Sequence, residues 1–175
     1  DRFQWLFQQI CLNRADGIVA VSEDFAVYAS SLWNIPKNRL HVIHNLVDTE
    51  RFLPDNNQQR EQSIIFVGRL VKNKGLLVFV EALRSLVNDF PDIKIYFAGL
   101  DYFLKDENMK SSEYILKYLP PKNVVILGKV MVNDLIKLYQ RCMICVLPSF
   151  YESFGMTALE AMAFGVEVVE IRMGG

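Results

Sequence analysis

From residue 63 onward short apolar runs alternate with amphipathic stretches, and no other feature of the chain narrows its fold as much. Residues 63–67, 93–98, 124–127, 144–147 and 166–171 read as strands, each apolar nearly throughout. Between them, residues 75–88 read as a helix with Leu76, Phe79, Val80, Leu83 and Val87 on one side. Residues 112–118 read as a helix, as do 133–141, N-capped by Asn133, and 156–164, rich in good helix formers and ended by Gly165. Strands apolar at every position are buried on both faces. The expected fold class is therefore α/β, a Rossmann-like parallel sheet with helices on both faces. A composition of 51% hydrophobic against 22% charged residues supplies the core for it.

The earlier part of the chain is less regular. Residues 1–16 place Phe3, Trp5, Leu6, Phe7, Ile10 and Leu12 in a helix-like pattern, and with only Arg2 and Arg14 basic, a packed helix is expected over a membrane-surface one. Residues 17–22 read as a buried strand, followed by a helix over 23–33 with Ser22 as N-cap and Asp24 in the first turn. A turn at 34–39 leads to a strand at 40–43, where His41 and His44 read as structural or polar-face residues. Residues 53–62 are polar and turn-rich, the best boundary candidate. The expected organisation is residues 1–52, a linker over 53–62, and a domain from 63 to 175.

Charge and cysteine usage exclude several classes. Nineteen basic against twenty acidic residues leave a net charge of −1, so nucleic acid is not expected as a partner. No apolar run reaches the roughly 18 residues of a spanning helix, and nothing resembles a signal peptide, which gives the expectation of a soluble, cytoplasmic chain. Three cysteines do not make a disulfide framework, and Cys142-Met-Ile-Cys145 lacks a second ligand pair, so these cysteines read as small buried hydrophobes. No Asp or His cluster has ligand spacing. Neither a metal nor a cofactor is expected.

Ligands of such a sheet bind beyond the carboxyl ends of its strands, and three stretches lie there. In Gly68-Arg69-Leu-Val-Lys72-Asn-Lys74-Gly75, Arg69 offers a planar donor fork and Lys74 a mobile point charge, a pair suited to a diphosphate; solvated loop charges are the alternative. In Leu127-Gly128-Lys129-Val130, Gly128 permits close approach of a ligand to the backbone, or is a plain turn glycine. The third stretch runs from Pro148, which stops a strand, through the turn at Gly155 into a helix. There the amides of Phe154, Gly155, Met156 and Thr157 form an anion seat, flanked by Glu152 before it and Glu160 eight positions later. Such a seat suits a ligand bearing both phosphates and hydroxyls, as a nucleotide sugar does.

Set in Pro-Ser-x-x-Glu-Ser-Phe-Gly-x-x-x-Leu-Glu-Ala-Met-Ala-x-Gly, Glu152 and Glu160 resemble the Glu-x7-Glu signature of the retaining GT-B glycosyltransferases of group 1, family 4. Gly68-Arg69 and Lys74-Gly75 match the family's Gly-Arg and Lys-Gly. Residues 15–23, Ile35-Pro36, residues 42–48 and Phe52 resemble its crossing from the N-terminal into the C-terminal domain. The resemblance implies transfer of a sugar, with retention, from a UDP-, GDP- or ADP-sugar. Arg69 and Lys74 would bind the diphosphate and stabilise it as it leaves an oxocarbenium-like state. The backbone of residues 128–130 would meet the base, Glu160 would accept from ribose hydroxyls, and Glu152 would lie near the donor sugar, so the implied catalytic set is Glu152, Arg69 and Lys74. The likeness spans only the end of the family's N-terminal domain and most of its C-terminal one. A chain that holds a donor without turning it over is therefore expected, with a glycan or lipid-linked acceptor bound through the missing N-terminal domain. Peripheral contact of the full-length protein with the inner face of a membrane stays open.

Three departures stand out: Leu46 replaces the family's usual Gly, Glu167 replaces a Pro, and Glu170 falls in a strand expected to be buried. A buried carboxylate is costly, so either that strand is an edge or Arg172 shares the charge. A nicotinamide-dependent dehydrogenase would need a Gly-x-Gly-x-x-Gly that the chain lacks. A non-catalytic Rossmann-like interaction or nucleotide-binding module is the alternative; an interaction module that had kept only the sheet would bind no uridine or guanosine diphosphate.

Overall fold

The computed structural model describes residues 2–54 and 59–171. The described residues divide into two units, one made of residues 2–46 together with Glu152–Gly155, the other of the described residues of Val47–Tyr151 and of 156–171.

In the first unit, helix α1 (Arg2–Arg14) ends on carbonyls that Arg39 covers: its Nη2 donates to Leu12 O at 2.7 Å and also to Ala15 O. A guanidinium there meets both the orphan acceptors and the negative end of the helix dipole. The packed helix expected from the apolar pattern is not what forms. Phe3, Trp5, Leu6, Phe7 and Ile10 are all exposed, because the described part of this unit offers one other helix and two short strands to pack against. Strand β1 (Ile18–Ala20) pairs in parallel with β2 (Leu40–Val42), and α2 (Glu23–Trp33) joins them. Ser22 caps α2 as expected, its Oγ accepting from Phe25 N–H at 3.1 Å, and Asn34 closes it in the left-handed region at φ 52°. β1 is buried on one face only: Ala20 is inside, Val19 outside.

The second unit carries β3 (Glu61–Val67), α3 (Leu76–Asp89), β4 (Lys94–Ala98), a hairpin of β5 (Phe103–Leu104) and β6 (Met109–Lys110), and α4 (Ser111–Tyr118). There follow β7 (Val124–Gly128), α5 (Val132–Arg141), β8 (Cys142–Leu147), α6 (Met156–Ala163) and β9 (Glu167–Glu170). Five strands form one parallel sheet in the order β7-β4-β3-β8-β9. Successive β3 residues serve opposite faces. Ile64 and Phe66 join the core under α3 and α4, where the Phe66, Phe79 and Phe97 rings meet, whereas Ile65 joins Tyr139, Cys145, Ala161 and Phe164 under α5 and α6. This is the α/β fold with both faces covered.

Several details differ from expectation. The β5–β6 hairpin was not foreseen, since two-residue strands leave no periodicity. Helix α5 begins at Val132 after a Met131 cap without a side-chain bond; Asn133 lies inside it, exposed, with its Oδ1 accepting from Arg51 Nη2 at 3.1 Å. Glu170 is exposed on β9, an edge among the described strands, so it carries no burial cost. Arg172 lies outside the described residues, as do positions 55–58 of the expected linker. No described helix is long and apolar enough to cross a membrane.

At the amino end of the sheet Arg60 ties the α5 and α6 layers to β3. Its Nη1 donates to Tyr139 O at 2.9 Å and Cys142 O at 2.6 Å, and its Nη2 to Phe164 O. These are carbonyls at the ends of α5 and α6, which lack intrahelical partners. Arg60→Met should lower unfolding stability by about 2–4 kcal/mol in a urea titration, with unchanged slope, through loss of charged hydrogen bonds. A loss below about 0.5 kcal/mol, the scale of an ordinary surface substitution, would show that Arg60 is not the brace.

Candidate functional site

Within the second unit, β4 and β8 flank β3: the chain runs from β3 outward through β4 to β7 and then crosses back to β8 on the other side, so the winding of the sheet reverses at β3. Such a switch point opens a crevice beyond the carboxyl ends. Residues 68–75 emerge there from β3 and residues 148–151 from β8.

The two loops touch. A β-carbon at Gly75, whose φ is 72°, would lie 1.8 Å from Pro148 O and 2.5 Å from its carbonyl carbon, so only glycine fits. Phe150 N–H donates to Asn73 O at 3.1 Å. Arg69 is exposed and Lys74 half-buried on the first loop. Lys72 is engaged elsewhere: its Nζ bonds Asp106 Oδ2 at 2.8 Å, which raises the ammonium's pKa and lowers that of the carboxyl, although both groups are solvated and the pair adds little stability. On the second loop Ser149 is buried while Phe150 and Tyr151 are exposed.

The loop from β8 leads toward α6, whose first turn presents half-buried Met156 and Thr157. One turn in, the half-buried Glu160 carboxylate lies 3.5 Å from Tyr139 Oη, which donates to it. Tyr139 is fully buried and stacks on Phe164 at 5.8 Å, so its hydroxyl stays protonated, its pKa raised by burial. Burial also raises Glu160, and the Tyr139 bond offsets part of that rise. Helix α6 therefore holds a half-buried carboxylate whose charged form burial disfavours.

Residues 128–130 are farther along the sheet, because β4 separates β7 from β3. Gly128 turns at φ 65° with nothing within 4 Å of where a β-carbon would lie, Lys129 is exposed and Val130 half-buried. Lys129 and Val130 line an open groove of about 380 Å³ with Leu127 and Leu138.

Glu152, Phe154 and Gly155 belong to the first unit. There Ser22 Oγ donates to Ser153 O at 2.8 Å, and the His44 ring lies 5.7 Å from that of Phe154. Neither holding residue was legible as such in the sequence. Ser22 shows only as a helix cap, and the partner that its hydroxyl proton reaches is 131 positions away. Cys142 and Cys145 are buried in the core, their thiols pushed up to about 11 and about 12 by burial. Among the described residues no group of three or more His, Cys, Asp or Glu is placed to hold a metal ion.

Comparison with known proteins is consistent with these geometries. The family described as Glycosyl transferases group 1 matches residues 48–175, and that described as Glycosyltransferase Family 4 matches residues 1–51. An uncharacterized glycosyltransferase of Methanocaldococcus jannaschii is 31% identical over 90% of this chain, and the D-inositol 3-phosphate glycosyltransferase of Corynebacterium urealyticum is 28% identical over 96%. The chain spans 43% of the length of each of these relatives. Among solved structures, Anabaena HepE in complex with UDP and glucose superposes on the whole chain with a TM-score of 0.81 at 20% identity, the chain spanning 50% of it.

The raised Glu160 carboxyl gives a pH prediction. For an acid whose folded pKa is raised, the folded state binds more protons between the unfolded and folded values, so stability falls as pH rises from the ordinary glutamate range of about 4.3 through the folded value. Glu160→Gln removes that loss. Thermal unfolding should therefore show the variant more stable than the parent at pH 7 and level with it near pH 4; a variant equally destabilised at both values would mean that the carboxylate is a structural support.

Proposed function

The chain belongs to the group 1 glycosyl transferases, and from that premise we propose that it is the donor-binding part of an enzyme that moves a sugar from a nucleoside diphosphate to an acceptor with retention. The observation that carries this reading is the contact between the two switch-point loops, Gly75 against Pro148 and Phe150 N–H on Asn73 O, which brings the Arg69–Lys74 arm beside the chain that leads to Glu160. Residues 1–52 are then the end of an N-terminal domain, the linker expected over 53–62 stops short of Arg60 and of β3, which begins at Glu61, and the remainder is the donor domain. The acceptor, a glycan or a lipid-linked sugar, is bound through parts of a longer protein, which works on the cytoplasmic side.

Each group has a part. Breaking the bond between the anomeric carbon and the diphosphate leaves positive charge on the sugar and negative charge on the leaving group. The Arg69 guanidinium, the Lys74 ammonium and the amides of Phe154, Gly155, Met156 and Thr157 stabilise the latter. Glu160, half-buried and within 3.5 Å of the Tyr139 hydroxyl, accepts from the ribose hydroxyls. Residues 128–130 offer backbone groups to the base, and Glu152 stands near the transferred sugar. The binding energy recovers what Glu160 costs the unliganded fold.

Calorimetric titration with UDP, GDP and ADP tests the reading. One nucleotide should bind, Glu160→Ala should weaken it by about 1.5–3 kcal/mol, the scale of a hydrogen bond to a charged group, and Arg69→Ala and Lys74→Ala should each weaken it well beyond an ordinary surface-charge change. A folded chain that binds none of the three overturns the donor-site reading in favour of an interaction module that has kept only the sheet.

A further inference from the structure

The hairpin that the sequence did not announce lies against the proposed diphosphate arm. Ser111, the first residue of α4, is fully buried, with its Oγ 2.5 Å from Leu70 O and 2.8 Å from Tyr102 O. Tyr102 O already receives Ser111 N–H at 2.8 Å, so the one hydroxyl proton goes to Leu70 O, the shorter contact. The hydroxyl in turn accepts from Tyr102 N–H at 3.3 Å.

Ser111 is itself held. The Asp101 carboxylate accepts from Ser112 N–H at 3.0 Å and from Ser112 Oγ at 2.7 Å, and Glu113 reaches back to Lys110 N–H at 2.9 Å, so the start of α4 is capped twice. On the arm, the backbone on either side of Arg69 is tied to the end of β4 and the residues that follow it. Gly68 N–H donates to Ala98 O at 2.9 Å, Leu70 N–H to Leu100 O at 3.0 Å, and Val71 N–H to Arg69 O at 2.8 Å. Gly99 presses on the same stretch, since a β-carbon there would lie 1.7 Å from Gly68 O. The Leu70 side chain is wholly buried while Arg69, its neighbour, is exposed. At the hairpin tip, Asp106 draws Lys72 aside.

We propose that Ser111 is a positioning residue for the diphosphate arm: by fixing the Leu70 carbonyl it holds the backbone from which Arg69 presents its guanidinium, with the β5–β6 hairpin as the brace that keeps Ser111 in place. This rests on the reading of Arg69 as a diphosphate ligand. A guanidinium on a fixed backbone loses less freedom on binding than one on a swinging loop, and so gives more affinity to the same contacts.

The test is a double-mutant cycle read by calorimetry, with the nucleoside diphosphate that the parent chain binds and with the matching nucleoside. Ser111→Ala should weaken the diphosphate by about five- to tenfold while changing nucleoside affinity less than about twofold, and the effect should vanish in the Arg69→Ala background. Ser111→Cys, which keeps the shape with a far weaker donor, serves the same cycle where the alanine variant does not fold. A folded variant with parental affinity, an equal loss for diphosphate and nucleoside, or a loss that persists without Arg69 would each overturn the positioning role. Should Arg69→Ala alone leave diphosphate affinity unchanged, the donor-site reading itself fails, and that outcome is distinct from the others.

Discussion

A β-carbon at residue 75 would occupy the space of the Pro148 carbonyl. That close approach lets the loop leaving β3 lie on the loop leaving β8, and Phe150 N–H then reaches Asn73 O. Parallel sheets with helices on both faces are common, and their carboxyl edge becomes a site only where the loops at the switch point are held close. Here glycine at one position, a backbone hydrogen bond beside it and a buried serine behind it together turn two connections into one surface.

The two ends of the sheet are built on different terms. At the amino end Arg60 satisfies three carbonyls, and Arg141 lies 2.9 Å from Glu61 and over the Tyr96 ring, whose hydroxyl also bonds Glu61. Those contacts stabilise the unliganded fold. At the carboxyl end burial raises the Glu160 carboxyl, and Arg69 is exposed.

Much of this was legible in the sequence. Helix α3 buries the five residues its periodicity selects, and the five strands of the main sheet fall within a few positions of the apolar runs, because burial in the middle of a sheet leaves a mostly apolar segment. Helix α1 misled, since an apolar pattern records what a segment can bury and not whether a partner is present in this chain. Asn133 misled as a cap because Met131 already starts the helix through its backbone. In the candidate site, Arg69, Lys74 and Glu160 stood out by residue type and spacing. Ser22, Tyr139 and Ser111 did not, for each acts through a partner at least 21 positions away, which no local pattern encodes.

Hydrogen–deuterium exchange with and without a saturating nucleoside diphosphate tests the central claim, that the ligand is held by the carboxyl edge around the Gly75–Pro148 contact. Slowing should concentrate in residues 68–75, 127–131 and 148–160, with the amino ends of β3 and β4 unchanged. Protection centred on α2 or on the amino end of the sheet, with the switch-point loops unaffected, would contradict it.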